Sequence, residues 1–278
     1  MTEQPRLEEA DLDAYLQRIG YHGEAAPTLA TLHAIHYGHA TSIAFENLSP
    51  LLRQPMRLDL PALLEKLVYG GRGGWCFEQN LLLSHALRAL GFRVSGLAAR
   101  VRWNVPDEVI TARSHMLLRV ELDEGPFIAD VGFGGLTLTA PLQLAPDEAQ
   151  TTPHEPFRLV EHGAGYALQA QLGEEWRTLY TFELQEQHQV DYEVSNWYFA
   201  TNPRSHFLSS LIAARPDDGR RYALHNNQLG VHHRDGHSER RTLTSVAELC
   251  AVLERDFRLK LPDGPALEDA LAPLVTAP

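Results

Sequence analysis

The spacing of apolar residues changes once along this chain, and that change restricts the fold more than any other feature. Up to about residue 95 apolar positions recur at helical intervals, and from Phe92 onward they fall into short alternating runs. Leu12, Tyr15, Leu16 and Ile19 predict a first helix that Gly20 stops. Thr28 is placed to cap a second carrying Leu29, Leu32, Ile35 and His36. Asp59-Leu60-Pro61 opens a third through Leu63, Leu64 and Leu67, with Pro near the first helical position. A fourth runs from Trp75 to Leu90, with Gly91 just past its end. Strands are then expected at Val94–Val105 and at Ser114–Leu122, the latter with Met116, Leu118 and Val120 on one face. A turn at Asp123-Glu124-Gly125-Pro126 leads back along Phe127–Val131. Strand-like pieces at Pro156–Val160, Tyr166–Gln171, Trp176–Tyr180 and near Glu183 complete a barrel or sandwich of about 100 residues. Beyond Pro203 helix and strand mix, at Arg204–Ala213, Arg221–Leu224, Val231–His233 and Arg240–Thr244, with a helix from Ser245 to Phe257. Pro265–Pro278 reads as a surface tail with a short helix. The expected class is α+β in three units: a helical bundle (1–95), a β-barrel-like unit (96–203) and an α/β lid (204–278).

Composition narrows the function. A net charge of −12 argues against a nucleic-acid partner, which needs a basic surface, but leaves room for an anionic small molecule held locally. No apolar run approaches the ~18–20 residues of a membrane span. The acidic, polar start Met1-Thr2-Glu3-Gln4-Pro5-Arg6 is unlike a signal peptide. Two distant cysteines give no disulfide framework, so a reducing cytoplasm is expected.

One of those cysteines stands where a thiol becomes reactive. Cys76 follows Arg72-Gly73-Gly74-Trp75 and opens the fourth helix, whose unpaired N–H groups favour a thiolate. The two glycines are expected to turn the backbone and leave space beside the sulfur. His115 begins one strand and Asp130 ends the next, so a hairpin sets them roughly opposite each other. A carboxylate on an imidazole fixes its tautomer and favours its cation, which can hold a thiolate beside it. Asp130-Val131-Gly132-Phe133-Gly134-Gly135 then adds a turn whose backbone N–H groups can face an anion. Taken singly, a core cysteine, a surface histidine and a turn aspartate account for each residue better than catalysis does. Cys76, His115 and Asp130 together make the set a cysteine nucleophile requires.

As a set, Phe45-Glu46-Asn47-Leu48, Arg72-Gly73-Gly74-Trp75-Cys76-Phe77-Glu78, Arg113-Ser114-His115-Met116 and Asp130-Val131-Gly132-Phe133-Gly134 resemble the arylamine N-acetyltransferases. Asn196-Trp197-Tyr198, Pro203 and Phe207 extend that resemblance across at least residues 40 to 230. It implies a cysteine-protease-like catalytic core and a ping-pong reaction, acetyl-CoA loading an acetyl group on Cys76 and a small aromatic amine or hydrazine removing it. Acetyl-CoA is then a substrate, and no resident cofactor or metal is implied. Phe45 and Phe133 match acceptor-site positions, and Ser114, Gly132, Phe133, Gly134 and Phe207 match positions along the CoA arm. Arg72 and Glu46 read as a polar pair supporting the loop. Trp75 replaces the more usual tyrosine or phenylalanine, and Ala44 stands where proline is common. The same triad also fits an amide synthase of this family, or a cysteine hydrolase or transglutaminase-like enzyme. His225, His232, His233 and His237 offer a weaker reading as a metal site, against a solvated hairpin. Cys250 reads as a helix core residue, and a homo-oligomer is left open.

Overall fold

The computed structural model describes residues 7–106 and 108–276. The polar start at residues 1–6 and the last two residues of the tail lie outside them. Helix α1 (Glu9–Arg18) ends at Gly20, which takes φ 69°, and α2 (Leu29–Ser42) begins on Thr28, whose hydroxyl accepts the Thr31 N–H. A two-residue strand β1 (Phe45–Glu46) and the single turn α3 (Leu48–Leu51) follow. Asp59 caps α4 (Leu60–Leu63) through the Ala62 N–H, and the chain then widens into a π-helical turn at Leu64–Tyr69. Helix α5 (Cys76–Ala89) is buried along its length to Leu87 and stops before Gly91 at φ 90°.

Strands β2 (Arg93–Val101), β3 (Arg113–Leu122), β4 (Gly125–Ala129), β5 (Leu142–Gln143), β6 (Phe157–His162), β7 (Gly165–Leu172) and β8 (Glu175–Phe182) form one antiparallel sheet. Its order is β5-β4-β3-β2-β8-β7-β6. Bridges from Pro146 to Leu159 and from Gln150 to Phe157 bring the chain after β5 onto β6, so the sheet nearly closes into a barrel. Strand β3 is buried on both faces. Met116, Leu118 and Val120 pack with Phe77, Leu81 and Leu82 of α5, while Leu117 joins Leu97, Ile128, Leu168 and Tyr180 inside the barrel. This two-sided burial explains the unbroken apolar run Met116-Leu117-Leu118.

Helix α6 (Gln189–Thr201) and a 3₁₀ turn (His206–Leu208) lead to β9 (Ile212–Asp217), β10 (Arg220–His225), β11 (Gln228–His233) and β12 (Ser238–Thr242). Together with β1 these make a second sheet, ordered β1-β9-β10-β11-β12. It packs with α3, α7 (Val246–Arg255) and α8 (Pro265–Thr276) around Leu48, Leu211, Leu249, Val252, Leu253, Phe257 and Leu271.

The architecture is the expected α+β one, with local differences. Residues 189–201, read as no particular element, form α6. The stretch Arg204–Ala213 divides between a 3₁₀ turn and the start of β9. The tail is a twelve-residue helix that buries Leu267 and Leu271 against the second core rather than a surface segment.

Candidate active site

The Cys76 end of α5 is held by contacts its own sequence does not display. Trp75 is extended at the N-cap, and its N–H donates to the Glu78 carboxylate at 3.1 Å. Gly73 and Gly74 do not supply the sharp turn expected of them, since positive φ in this loop falls at Gly71 (63°). They permit contact instead. A Cβ on Gly73 would lie 2.1 Å from the Ala44 carbonyl oxygen, and one on Gly74 would lie 2.6 Å from the Glu78 carboxylate. The loop can therefore bond backbone to backbone with β1, Gly74 N–H to Ala44 O and Glu46 N–H to Gly74 O, each at 3.2 Å. Gln79 Nε2 also donates to Ala44 O, at 2.9 Å, so this segment is held firmly without a proline. Arg72 and Glu46 form the anticipated pair at 2.7 Å, with Glu46 fully enclosed. Trp75 points away from the site: its indole N–H donates to Asn196 Oδ1 at 3.0 Å and its ring meets Phe207 edge-on.

Three segments converge at the sulfur. Cys76 is nine-tenths buried, with its Sγ 3.7 Å from the Ser114 carbonyl oxygen. His115 Nε2 lies 2.6 Å from Asp130 Oδ2, which leaves the other ring nitrogen for the hydrogen bond with the Cys76 side chain. The β3–β4 register pairs Leu118 with Ala129 and so sets Asp130 opposite Leu117, two residues from His115 on the same face. Burial works against charge on the His115 ring. The Asp130 charge and hydrogen bond, and then Cys76, overcome it and raise the pKa from 6.5 to about 10. Burial likewise opposes ionisation of Asp130, but His115, Asn80 and the Gly132 N–H hold its pKa below the usual value.

Residues that the sequence reading passed over fix the acid. Asn80, one turn after Cys76, donates from Nδ2 to Asp130 Oδ1 (3.0 Å) and to Met116 O (2.8 Å), and accepts the Val131 N–H (3.1 Å). Tyr180 donates to Asp130 Oδ2 at 3.0 Å, and its ring lies 4.9 Å from that of His115. From behind, His36 Nε2 accepts the Asp130 N–H at 3.2 Å, while its Nδ1 is buried without a partner. Burial lowers the pKa of His36 to about 3, so the ring is neutral and serves as an acceptor. The available signal was the polar pair Gln79-Asn80 directly before the apolar run Leu81-Leu82-Leu83.

The glycine turn also differs from expectation. The Gly132 N–H donates to the protein's own Asp130 Oδ1 and the Phe133 N–H to Thr137 Oγ1, so neither is left for an anionic ligand. A Cβ at Gly132 would stand 2.6 Å from Cys76 Cα, so glycine here lets the turn rest on the start of α5.

A cavity of about 1200 Å³ opens onto Cys76 and His115. Phe45, Ser114, Gly132, Phe133, Gly134 and Phe207 all line it, and Asp130 sits behind His115. Phe133 meets His115 edge-on at 5.2 Å beside the sulfur, and the lining also carries polar groups, among them Arg221, which pairs with Glu155, and His232, His233 and Arg234. The histidines read as a metal alternative lie along β10 to β12. His232 bonds Ser238, His233 bonds Glu239, and among the described residues no group of three or more His, Cys, Asp or Glu side chains could hold a metal ion. Cys250 is half-buried on α7, packed against the second core rather than enclosed in it.

A buried thiol on a helix N-terminus, a histidine beside it and an acid orienting that histidine define the chemistry of a cysteine nucleophile. A family model described as N-acetyltransferase matches residues 28–265. Arylamine N-acetyltransferase of Mycolicibacterium smegmatis is 43% identical over 257 residues, covering 91% of this chain and 93% of that one. Its Escherichia coli K12 counterpart is 44% identical over 255 residues, covering 91% and 90%. The solved structure of Mycobacterium marinum arylamine N-acetyltransferase in complex with CoA superposes with a TM-score of 0.91 at 39% identity, covering 95% of this chain and 99% of that one. The chain belongs to the arylamine N-acetyltransferase family.

Proposed function

We propose that the protein transfers an acetyl group from acetyl-CoA to the nitrogen of an arylamine or arylhydrazine, or to an N-hydroxyarylamine, through an acetyl-Cys76 intermediate. The observation that carries this reading is the Cys76–His115–Asp130 set opening onto a large cavity lined by both aromatic and polar side chains. Cys76 as thiolate attacks the thioester carbonyl, and the C–S bond to CoA breaks. CoA leaves as the thiol, taking its proton from His115. Part of what makes His115 basic is Cys76 itself, so acetylation of the sulfur lowers the ring's hold on a proton. The neutral ring then accepts the proton of the attacking amine as the acetyl C–S bond breaks, which restores the thiolate and imidazolium. An aniline is largely unprotonated at neutral pH and arrives as a competent nucleophile. Phe45 and Phe133 would flank the acceptor ring, and Ser114, Gly132, Gly134 and Phe207 the CoA arm. The α5 N-terminus, with the Cys76 N–H, faces the developing oxyanion.

We also read the chain as three units, 1–95, 96–203 and 204–278, and place the enzyme in the cytoplasm on the strength of its two free thiols. Intact-mass spectrometry after mixing with acetyl-CoA, without acceptor, tests the activity. One acetyl group should appear on the wild type, be absent from Cys76→Ala, and be discharged by an aniline or hydrazine. An unmodified protein with acetyl-CoA intact would refute acetyl transfer and direct the search to the bulkier donors of an amide synthase. Acetyl-CoA consumed with no acetylated acceptor would mark a hydrolase.

A further inference from the structure

A chain of fully buried polar side chains leads from α1 through α2 to α5: Tyr15, His39 and Gln79. Tyr15 Oη lies 2.9 Å from His39 Nδ1, and His39 Nε2 lies 2.7 Å from Gln79 Oε1. Gln79 Nε2 then faces three carbonyl oxygens, those of Ala44 (2.9 Å), Ile43 (3.1 Å) and Gly74 (3.2 Å). Carbonyls only accept, so the amide nitrogen must point at them and Gln79 Oε1 must accept from His39. His39 therefore carries its proton on Nε2, its Nδ1 accepts, and Tyr15 donates. Burial lowers the His39 pKa to about 4 and raises that of Tyr15, so the ring is neutral and the phenol protonated at neutral pH. Every proton in the chain has one place.

The far end of the chain grips the segment that presents Phe45. Ile43 and Ala44 immediately precede that residue, which lines the active-site cavity and bridges in parallel to Gly74, two residues before Cys76. One amide thus ties the cavity wall at Phe45 to the approach to the nucleophile. Apolar groups of the same shape would fill this space at little cost in stability, so the consequence of the polar chain is placement. We propose that Gln79, oriented by His39 and Tyr15, is a positioning residue for the acceptor, holding the Phe45 ring where an aromatic amine or hydrazine lies against it beside the acetylated sulfur. This rests on acetyl transfer through Cys76 and on Phe45 flanking the acceptor ring, as proposed above. An aromatic acceptor uses that wall. Hydrazine itself brings the same kind of nucleophilic nitrogen with no ring, and does not. The chain therefore governs the preference for aromatic over ringless nucleophiles.

The test is single-turnover discharge of acetyl-Cys76, preformed with acetyl-CoA and followed by intact mass, using phenylhydrazine and hydrazine in parallel. Gln79→Met removes donor and acceptor in a similar volume. It should slow discharge by phenylhydrazine by about tenfold or more and discharge by hydrazine by less than about threefold. His39→Leu should shift the same ratio in the same direction, and His39→Gln, which keeps a donor toward Gln79 Oε1, should recover part of it. Nitrogen NMR of the wild type at pH 7 should show the His39 ring neutral and protonated on Nε2. Equal losses for the two nucleophiles, a ratio unchanged in both Gln79→Met and His39→Leu, or a His39 ring protonated on Nδ1 would each overturn the proposal. A wild type that never gains the acetyl group, or whose acetyl-Cys76 resists phenylhydrazine, would instead refute acetyl transfer itself and this proposal with it.

Discussion

Asp130→Asn should separate the position of His115 from its charge. In the wild type the ring's pKa rises from 6.5 to about 10, worth about 5 kcal/mol in favour of the imidazolium at about 1.4 kcal/mol per unit. The Asp130 carboxylate provides most of what overcomes burial, and it contacts His115 at 2.6 Å with both groups enclosed. An amide keeps the shape and removes the charge. Burial then dominates, so His115 should be neutral at pH 7, and the amide N–H can donate to Nε2 and reverse the tautomer. Acetylation of Cys76 by acetyl-CoA should slow by on the order of 10²–10⁴-fold. The ring is observable by NMR through its nitrogen and carbon-bound proton shifts: imidazolium persisting to about pH 10 in wild type, and neutral at pH 7 in the variant. The same interaction predicts a stability profile. Its contribution is fully present below pH 6.5 and is lost as pH rises through about 10, so wild-type Tm should fall across that window and Asp130→Asn should show a flatter profile. A variant ring still cationic above pH 8, or an acetylation rate within threefold of wild type, would refute the reasoning.

Two further substitutions test the supports. Arg72→Ala leaves the enclosed Glu46 carboxylate without its 2.7 Å partner and should cost about 3–5 kcal/mol in chemical denaturation. His36→Leu leaves the Asp130 N–H buried and unpaired, costing about 1–3 kcal/mol, and should lower kcat more than it raises KM; His36→Gln, which keeps an acceptor, should recover part of both.

What could be read in advance was local. Thr28, Asp59 and Ser245 cap helices because each side chain meets an N–H three residues on. Gly20 and Gly91 end helices because each can take a positive φ. The helix at 189–201 escaped notice because it is apolar on two faces, with Tyr192 buried on one and Trp197 exposed on the other, which blurs any single stripe. The two-residue β1 is too short for alternation to show. Within the site the reactive residues were recognisable as a set of motifs, whereas their supports were not. The partners of His36, Asn80 and Tyr180 lie 94, 50 and 50 residues away, and the need for glycine at position 73 arises from a carbonyl of Ala44. Distance in the chain, rather than weakness of the contact, concealed them.

Strand β1 pairs Phe45 with Ala214 and Glu46 with Ala213, while its other side bonds the Gly74 backbone at the foot of the nucleophile's helix. Asn47 tightens the same join, accepting the Ile212 N–H at 2.6 Å and donating to Ser210 O at 2.7 Å. A chain growing from a ribosome therefore makes Cys76 early but cannot finish its setting until residues 210–217 have emerged and found β1. Triad and tether are completed by different parts of the message. A premature stop anywhere before residue 210 should yield a thiol without its frame.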